Sequence, residues 1–187
     1  MASGSANGKN GDAYENTFCS SNGKEYYVGE DGQLVRSSWV EYDSSYYFVN
    51  SSGAKITNDW RLTTPYDDDS ADEDEYWYYL KKTTGKPATG KQSNINGQIY
   101  LFNNEGQMQH GWVAATDTNG AKFVQLDKED DEKSMSAAGN AAVYYCGDED
   151  DGHAKKNKWL KTWLPYDTNE EEDDKEWFWF DKEGKLF

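Results

Sequence analysis

Gly97-Gln98-Ile99-Tyr100-Leu101-Phe102-Asn103-Asn104-Glu105-Gly106-Gln107-Met108-Gln109-His110-Gly111-Trp112-Val113 is the stretch on which the reading of this chain turns. It runs from aromatic and branched residues through a polar turn with glycine to a short second run and a tryptophan. The same order recurs. Aromatic clusters stand at Tyr26-Tyr27, Tyr47-Phe48, Tyr78-Tyr79, Phe123, Tyr144-Tyr145 and Phe178-Trp179-Phe180, at steps of about 20 residues, two of them about ten longer. Glycine turns come after most of them: Glu30-Asp31-Gly32, Ser51-Ser52-Gly53, Asp150-Asp151-Gly152 and Lys182-Glu183-Gly184. A tryptophan comes six or seven positions after the glycine, from Gly32 to Trp39, Gly53 to Trp60, Gly106 to Trp112 and Gly152 to Trp159.

Each unit therefore reads as strand, glycine turn, short strand, tryptophan. Aromatic and branched residues on both sides of such a turn signal a β-hairpin. A lone two-stranded hairpin is barely stable in water, whereas hairpins in series bury their aromatics against the next unit. The predicted fold is all-β, an elongated solenoid of stacked β-hairpins with acidic loop insertions. The predicted organisation is a linker or cloning tail over 1–22, then one repeat domain over 23–187 with about five to seven units, ending mid-repeat at Phe187.

A longer duplication is laid over the short period. Tyr47, Gly53, Trp60, Pro65-Tyr66-Asp67 and Trp77 match Tyr145, Gly152, Trp159, Pro165-Tyr166-Asp167 and Trp177 at offsets of 98 to 100. Between Pro-Tyr and the second tryptophan lies a loop that carries acid. Residues 67–75 hold seven carboxylates, 170–176 six, 127–132 five and 148–151 four, together 22 of the 35 acidic residues. Such runs repel themselves and stay solvated. The stretch 132–142 lacks the repeat pattern and reads as a long loop or a degenerate unit.

Composition narrows the function. Leu, Ile, Val and Phe make up only 25 of 187 residues and the net charge is −16, a balance that alone would suggest disorder. The 8 Trp, 14 Tyr and 7 Phe argue for a fold held by aromatic faces. The negative charge repels phosphate backbones, so nucleic acid is excluded as a partner. No apolar run approaches the about 20 residues of a membrane span, so no membrane insertion is expected. The first residues lack a signal core. Cys19 and Cys146 could form one bridge at most, and two isolated thiols are the simpler reading.

The segments Trp77-Tyr78-Tyr79-Leu80, Tyr26-Tyr27-Val28-Gly29-Glu30-Asp31-Gly32-Gln33-Leu34 and Tyr100 to Val113 resemble the cell-wall/choline-binding repeats of Gram-positive bacteria. Glucan-binding repeats and the repetitive tails of clostridial toxins are similar. The resemblance covers about 23–112 and 143–187, and Gly-Trp itself is kept only at Gly111-Trp112. It implies a hairpin solenoid on an extracellular protein, secreted or held on a bacterial surface. It also implies ligands between successive repeats: choline, other cell-wall components, or glucan and host glycans. An aromatic cage suits a quaternary ammonium through cation–π attraction. The residues that the resemblance brings forward are Trp60, Trp77 and Tyr100, then Trp39, Tyr46 and Tyr78, with Trp159 and Trp177 in the second block.

Catalytic chemistry finds no support. There are two histidines, His110 and His153, both expected at exposed turn positions, and no motif for a nucleophile, a zinc site or a phosphate loop. Asp148-Glu149-Asp150-Asp151-Gly152 departs from calcium-loop spacing; no cofactor is expected, beyond weak Ca²⁺ binding by the acidic loops. The expected function is a non-catalytic surface-attachment module that binds carbohydrate or a cell-wall component through inter-repeat aromatics. The alternative is a structural stalk or a protein-interaction module with a basic protein partner. Because closure entropy grows slowly with loop length, replacing 67–75 with a short Gly-Ser linker is expected to leave the circular dichroism spectrum and the melting transition in place. An unfolded product would make the acidic loop a structural element.

Overall fold

The computed structural model describes residues 14–67, 73–117, 119–126, 142–165 and 171–187. It is built from β-hairpins, and among the described residues the helical content is one 3-10 turn, Glu172–Asp174. No helix there is long and apolar enough to cross a membrane. The chain forms two compact units, Met1–Pro87 and Ala88–Phe187.

The first unit holds β1 (Thr17–Ser21) with β2 (Lys24–Val28), β3 (Ser38–Tyr42) with β4 (Ser45–Val49), and β5 (Asp59–Thr63) with β6 (Tyr76–Leu80). The second holds β7 (Gly90–Ile95) with β8 (Gln98–Phe102), a three-stranded sheet, and β12 (Lys158–Thr162) with β13 (Glu176–Phe180). In that sheet β9 (Gly111–Ala115) lies between β10 (Phe123–Gln125) and β11 (Val143–Cys146). All pairings are antiparallel.

Turn chemistry explains the tight hairpins. Asn22-Gly23, Asp43-Ser44 and Asn96-Gly97 each place both central residues at positive φ, between 49° and 79°. A two-residue turn of this form matches the twist of the flanking strands. The Asn22-Gly23 turn corrects one boundary: β1 falls inside 1–22, so that stretch is not all linker.

The glycine turns sit elsewhere than the sequence places them. Gly32, Gly53, Gly106 and Gly184 lie just past a hairpin rather than at its tip, in turns closed by single bridges such as Val49↔Lys55 and Phe102↔Met108. The pairings of β3 with β4, β5 with β6, β9 with β11 and β12 with β13 join a tryptophan strand to the aromatic strand after it, so the repeat is the predicted one with its phase shifted. The linking turns share a cap. Asn50 Oδ1 accepts from Ser52 N at 2.9 Å and Ala54 N at 3.0 Å. Asn103 Oδ1 does the same for Glu105 N and Gln107 N, and Asp181 Oδ1 for Glu183 N and Lys185 N. Gly53 is required in its turn: its φ is +84°, and a Cβ there would stand 3.0 Å from the Val35 carbonyl oxygen.

The cores are small and mixed. In the first unit Tyr27, Val40 and Val49 pack with Phe18 and Tyr47, while Phe48, Ile56 and Leu80 pack with Trp39. In the second, Ile99, Leu101, Val113, Phe123, Tyr144 and Cys146 form one cluster, and Trp112, Leu126, Val143 and Phe180 another. Phe123, read from sequence as a repeat member, belongs to the extra edge strand β10. The pattern-free stretch 132–142 lies outside the described residues except for Ala142.

Phe180 is fully buried whereas Trp159 is 58% exposed. Phe180→Ala is expected to cost about 3–5 kcal/mol, and Trp159→Ala about 0.5 kcal/mol or less, as read from urea unfolding of the full chain.

Candidate functional site

The second residue of the leading strand is a ring or a lysine in every hairpin, and where another hairpin follows within the unit that residue carries the contact to it. It is Phe18 in β1, Trp39 in β3, Trp60 in β5, Lys91 in β7, Trp112 in β9 and Trp159 in β12. Inside the two units it meets one fixed register position of the following hairpin. Phe18 stands edge-on to Tyr47 with ring centroids 5.3 Å apart, Trp39 to Tyr78 at 5.0 Å and Trp112 to Phe178 at 4.9 Å. Lys91 puts its ammonium 5.0 Å from the Tyr144 centroid, a cation where the other junctions have a ring. Edge-to-face pairs contribute about 0.5–1.5 kcal/mol beyond area burial. The duplication noted in the sequence is thereby placed in register, with Trp60 matching Trp159, Trp77 matching Trp177 and Tyr78 matching Phe178.

The structure brings Trp39, Tyr46 and Tyr78 together around a residue that the sequence reading did not select as a site. Tyr66 stacks on Tyr46 at 4.5 Å with 26° between planes, and lies 5.3 Å from Trp39 and 6.0 Å from Tyr78. The Trp39 indole N–H donates to the Thr64 carbonyl at 2.9 Å, fixing the start of the loop that carries Tyr66. Trp112 repeats the device in the second unit, donating to the Trp163 carbonyl at 2.9 Å. The available signal was the recurrence of Pro-Tyr after the tryptophan strand.

Trp60 and Trp77 come together on one face of β5–β6, 6.5 Å apart and nearly perpendicular. Both are half-buried, and the Trp77 indole N–H is closed to solvent with no acceptor among the described residues. Tyr100 belongs to the second unit. It faces His153 at 6.5 Å, and burial, reinforced by Asp151, pushes its phenol above the ordinary value. Trp159 and Trp177 hold the Trp60 and Trp77 positions on β12–β13 and are 58% and 62% exposed. Trp179, opposite Trp159, lies 5.6 Å from it.

A cavity of about 180 Å³ in the second unit is bounded by Trp112, Tyr145 and Trp163, with His110, Gln125 and Thr162 supplying polar groups. His110 is thus half-buried rather than exposed, its backbone N–H held by Gln125 Oε1 at 3.1 Å. Lys175 caps the Trp163 ring from 4.2 Å and pairs with Glu172 at 2.7 Å. His153 Nδ1 lies 2.7 Å from Asp151 Oδ1, a contact that holds the Asp151 carboxyl below its usual value. Cys19 and Cys146 are free, and burial raises the Cys146 thiol.

Among the described residues no three His, Cys, Asp or Glu side chains are grouped to hold a metal ion. The acidic stretches 68–72, 127–132 and residue 170 lie outside those residues, so the Ca²⁺ expectation falls partly there.

Residues 37–55 match the family model described as a putative cell wall binding repeat. Glucosyltransferase-S of Streptococcus mutans serotype c is 37% identical over 93 residues, covering 49% of this chain and 6% of that enzyme. Among solved structures, CbpJ of Streptococcus pneumoniae superposes with a TM-score of 0.58 at 19% identity, over 95% of this chain and 44% of that one. Choline-binding protein F of the same organism gives 0.55 at 19% identity, over 95% and 43%. The chain thus spans a small part of the enzyme and under half of either structure. The fold is the β-hairpin solenoid plan of those proteins, and the hairpin β3–β4 with the turn after it is the segment that matches the cell wall binding repeat.

Tyr144 offers a pH test of the junction. It is 2% exposed; burial first, then Asp181, Cys146 and Glu183, push its phenol up to about 12. A phenol raised above its unfolded value of about 10 adds stability below pH 10 and loses it as pH climbs to 12. Alkaline unfolding of the second unit is therefore expected in that window. Tyr144→Phe is expected to move the transition to higher pH in a circular dichroism titration.

Proposed function

We propose that the chain is a non-catalytic attachment module that holds a glycan or another cell-wall component against the open aromatic faces of its hairpins. The carrying observation is the recurrence of one diagonal tryptophan pair on one face of a hairpin, Trp60 with Trp77 on β5–β6 and Trp159 with Trp177 on β12–β13. The first pair is half-buried, its rings 6.5 Å apart. Paired indole faces of this kind suit a flat apolar face or an organic cation.

The partner class is set by chemistry. A net charge of −16 disfavours anionic polymers, whereas flat indole faces suit the apolar faces of neutral sugar rings, and also organic cations such as choline. The relatives support the same class, one being a glucosyltransferase and the others choline-binding or cell-wall-binding by name. An extracellular location, on a bacterial surface or in a secreted protein, belongs to this reading. So does the absence of catalysis in the repeats, whose type is a binding one. Tyr100 remains a proposed ligand-binding residue alongside Trp39, Tyr46 and Tyr78.

A second reading, a structural stalk or protein-interaction module, is favoured by one observation: Trp39, Tyr46 and Tyr78 pack on a ring of the chain itself. Tryptophan fluorescence during titration with dextran, choline and wall polysaccharide separates the two. The attachment reading expects a saturable change with at least one of them, weakened roughly tenfold or more in Trp177→Ala, as for truncation of a stacking anchor. A spectrum unmoved by all three gives the stalk reading precedence.

A further inference from the structure

We infer that Tyr66 is the built-in occupant of the aromatic corner made by Trp39, Tyr46 and Tyr78, and that the corner is closed to an external organic cation while Tyr66 is in place. The inference rests on the attachment reading only in treating such corners as ligand-binding, and it concerns what regulates one of them.

The geometry supports it from three sides. Tyr66 lies nearly parallel to Tyr46 at 4.5 Å, edge-on to Trp39 at 5.3 Å and tilted on Tyr78 at 6.0 Å. Rings at these separations are in contact, so they leave no room for another group. Tyr66 arrives by its own loop: Pro65 fixes the preceding backbone, and the Thr64 carbonyl is held by the Trp39 indole N–H at 2.9 Å. One tryptophan thus supplies a wall of the corner and the tether of its occupant.

The neighbouring junction is filled in the same manner by other chemistry. The Lys55 ammonium lies 5.2 Å from the Phe18 centroid and 5.3 Å from that of Tyr47, and pairs with Glu25. A cation of the chain stands there on two aromatic faces, where a free organic cation would stand. The first unit thus fills both of its junctions from its own sequence.

The test uses the full chain and tetramethylammonium chloride against an equal concentration of NaCl. The readout is the Trp39 indole N–H resonance, assigned by its loss in Trp39→Phe. In Tyr66→Ala the resonance is expected to shift saturably, with an apparent affinity roughly tenfold or more above the parent, a step within the range of a desolvated cation–π contact. Tyr66→Phe keeps the stacked ring and is expected to behave as the parent. Equal titration of parent and Tyr66→Ala overturns the inference, as does a folded Tyr66→Ala that does not respond. Should the alanine variant unfold, the parent decides: its Tyr66 ring protons are expected upfield of random-coil values from stacking on Tyr46, and random-coil values there overturn the inference. Dextran titration read at Trp177 reports the attachment reading separately. A lost ammonium response with the dextran response intact overturns this inference alone.

Discussion

The contact on which the rest depends is the one between the second residue of a hairpin's leading strand and a single ring of the next hairpin. A hairpin of five-residue strands buries too little to stand alone, so each unit holds together through Phe18 on Tyr47, Trp39 on Tyr78, Lys91 on Tyr144 and Trp112 on Phe178. Three of the four junctions are edge-to-face ring pairs and the fourth is a cation over a ring, and both arrangements set positive charge against an electron-rich face. At Lys91 burial works against the charge and lowers the ammonium pKa. The carbonyl of Glu183, which accepts from Nζ at 2.8 Å, supplies a compensating hydrogen bond.

The two kinds of hairpin tip result from this arrangement. Where the tip is Asn-Gly or Asp-Ser at positive φ, the turn is self-sufficient. Where the loop is long, between β5 and β6 and between β12 and β13, the preceding tryptophan reaches across and holds its first residues by one indole hydrogen bond. The acidic runs therefore begin a few residues beyond a fixed anchor.

The sequence made the class and the period legible because aromatic spacing reports the repeat directly. The duplication was legible too, since Trp60 and Trp159, and Trp77 and Trp177, share register positions. The phase was not. A glycine turn flanked by apolar residues looks the same whether it lies inside a hairpin or between two, and only the backbone pairing separates the cases. β1 was missed because Thr17-Phe18-Cys19-Ser20-Ser21 has one aromatic, although the Asn22-Gly23 turn beside it carried the signal. Tyr66 and Lys55 escaped for another reason. Their role is set by the side of the corner they enter, and one-dimensional spacing does not encode that. Lys91 stands where the pattern has tryptophan, but its use as a substitute cation is visible only from the position of Tyr144.

One register position thus serves two ends that compete for the same ring. A tryptophan there is withdrawn from solvent where a hairpin follows it, as Trp112 is at 8% exposure. Covering it stabilises the stack and takes its face from solvent; an uncovered one is the face that the proposed attachment would use. The capacity of such a chain to attach therefore cannot be counted from its tryptophans. It depends on the number of leading-strand aromatics left without a ring, a lysine or a loop tyrosine from the chain itself, and in the first unit Phe18 and Trp39 have already been met in those ways. The surface chemistry of the module is then set less by its repeats, which are alike, than by the loops and linking turns that supply or withhold an internal partner.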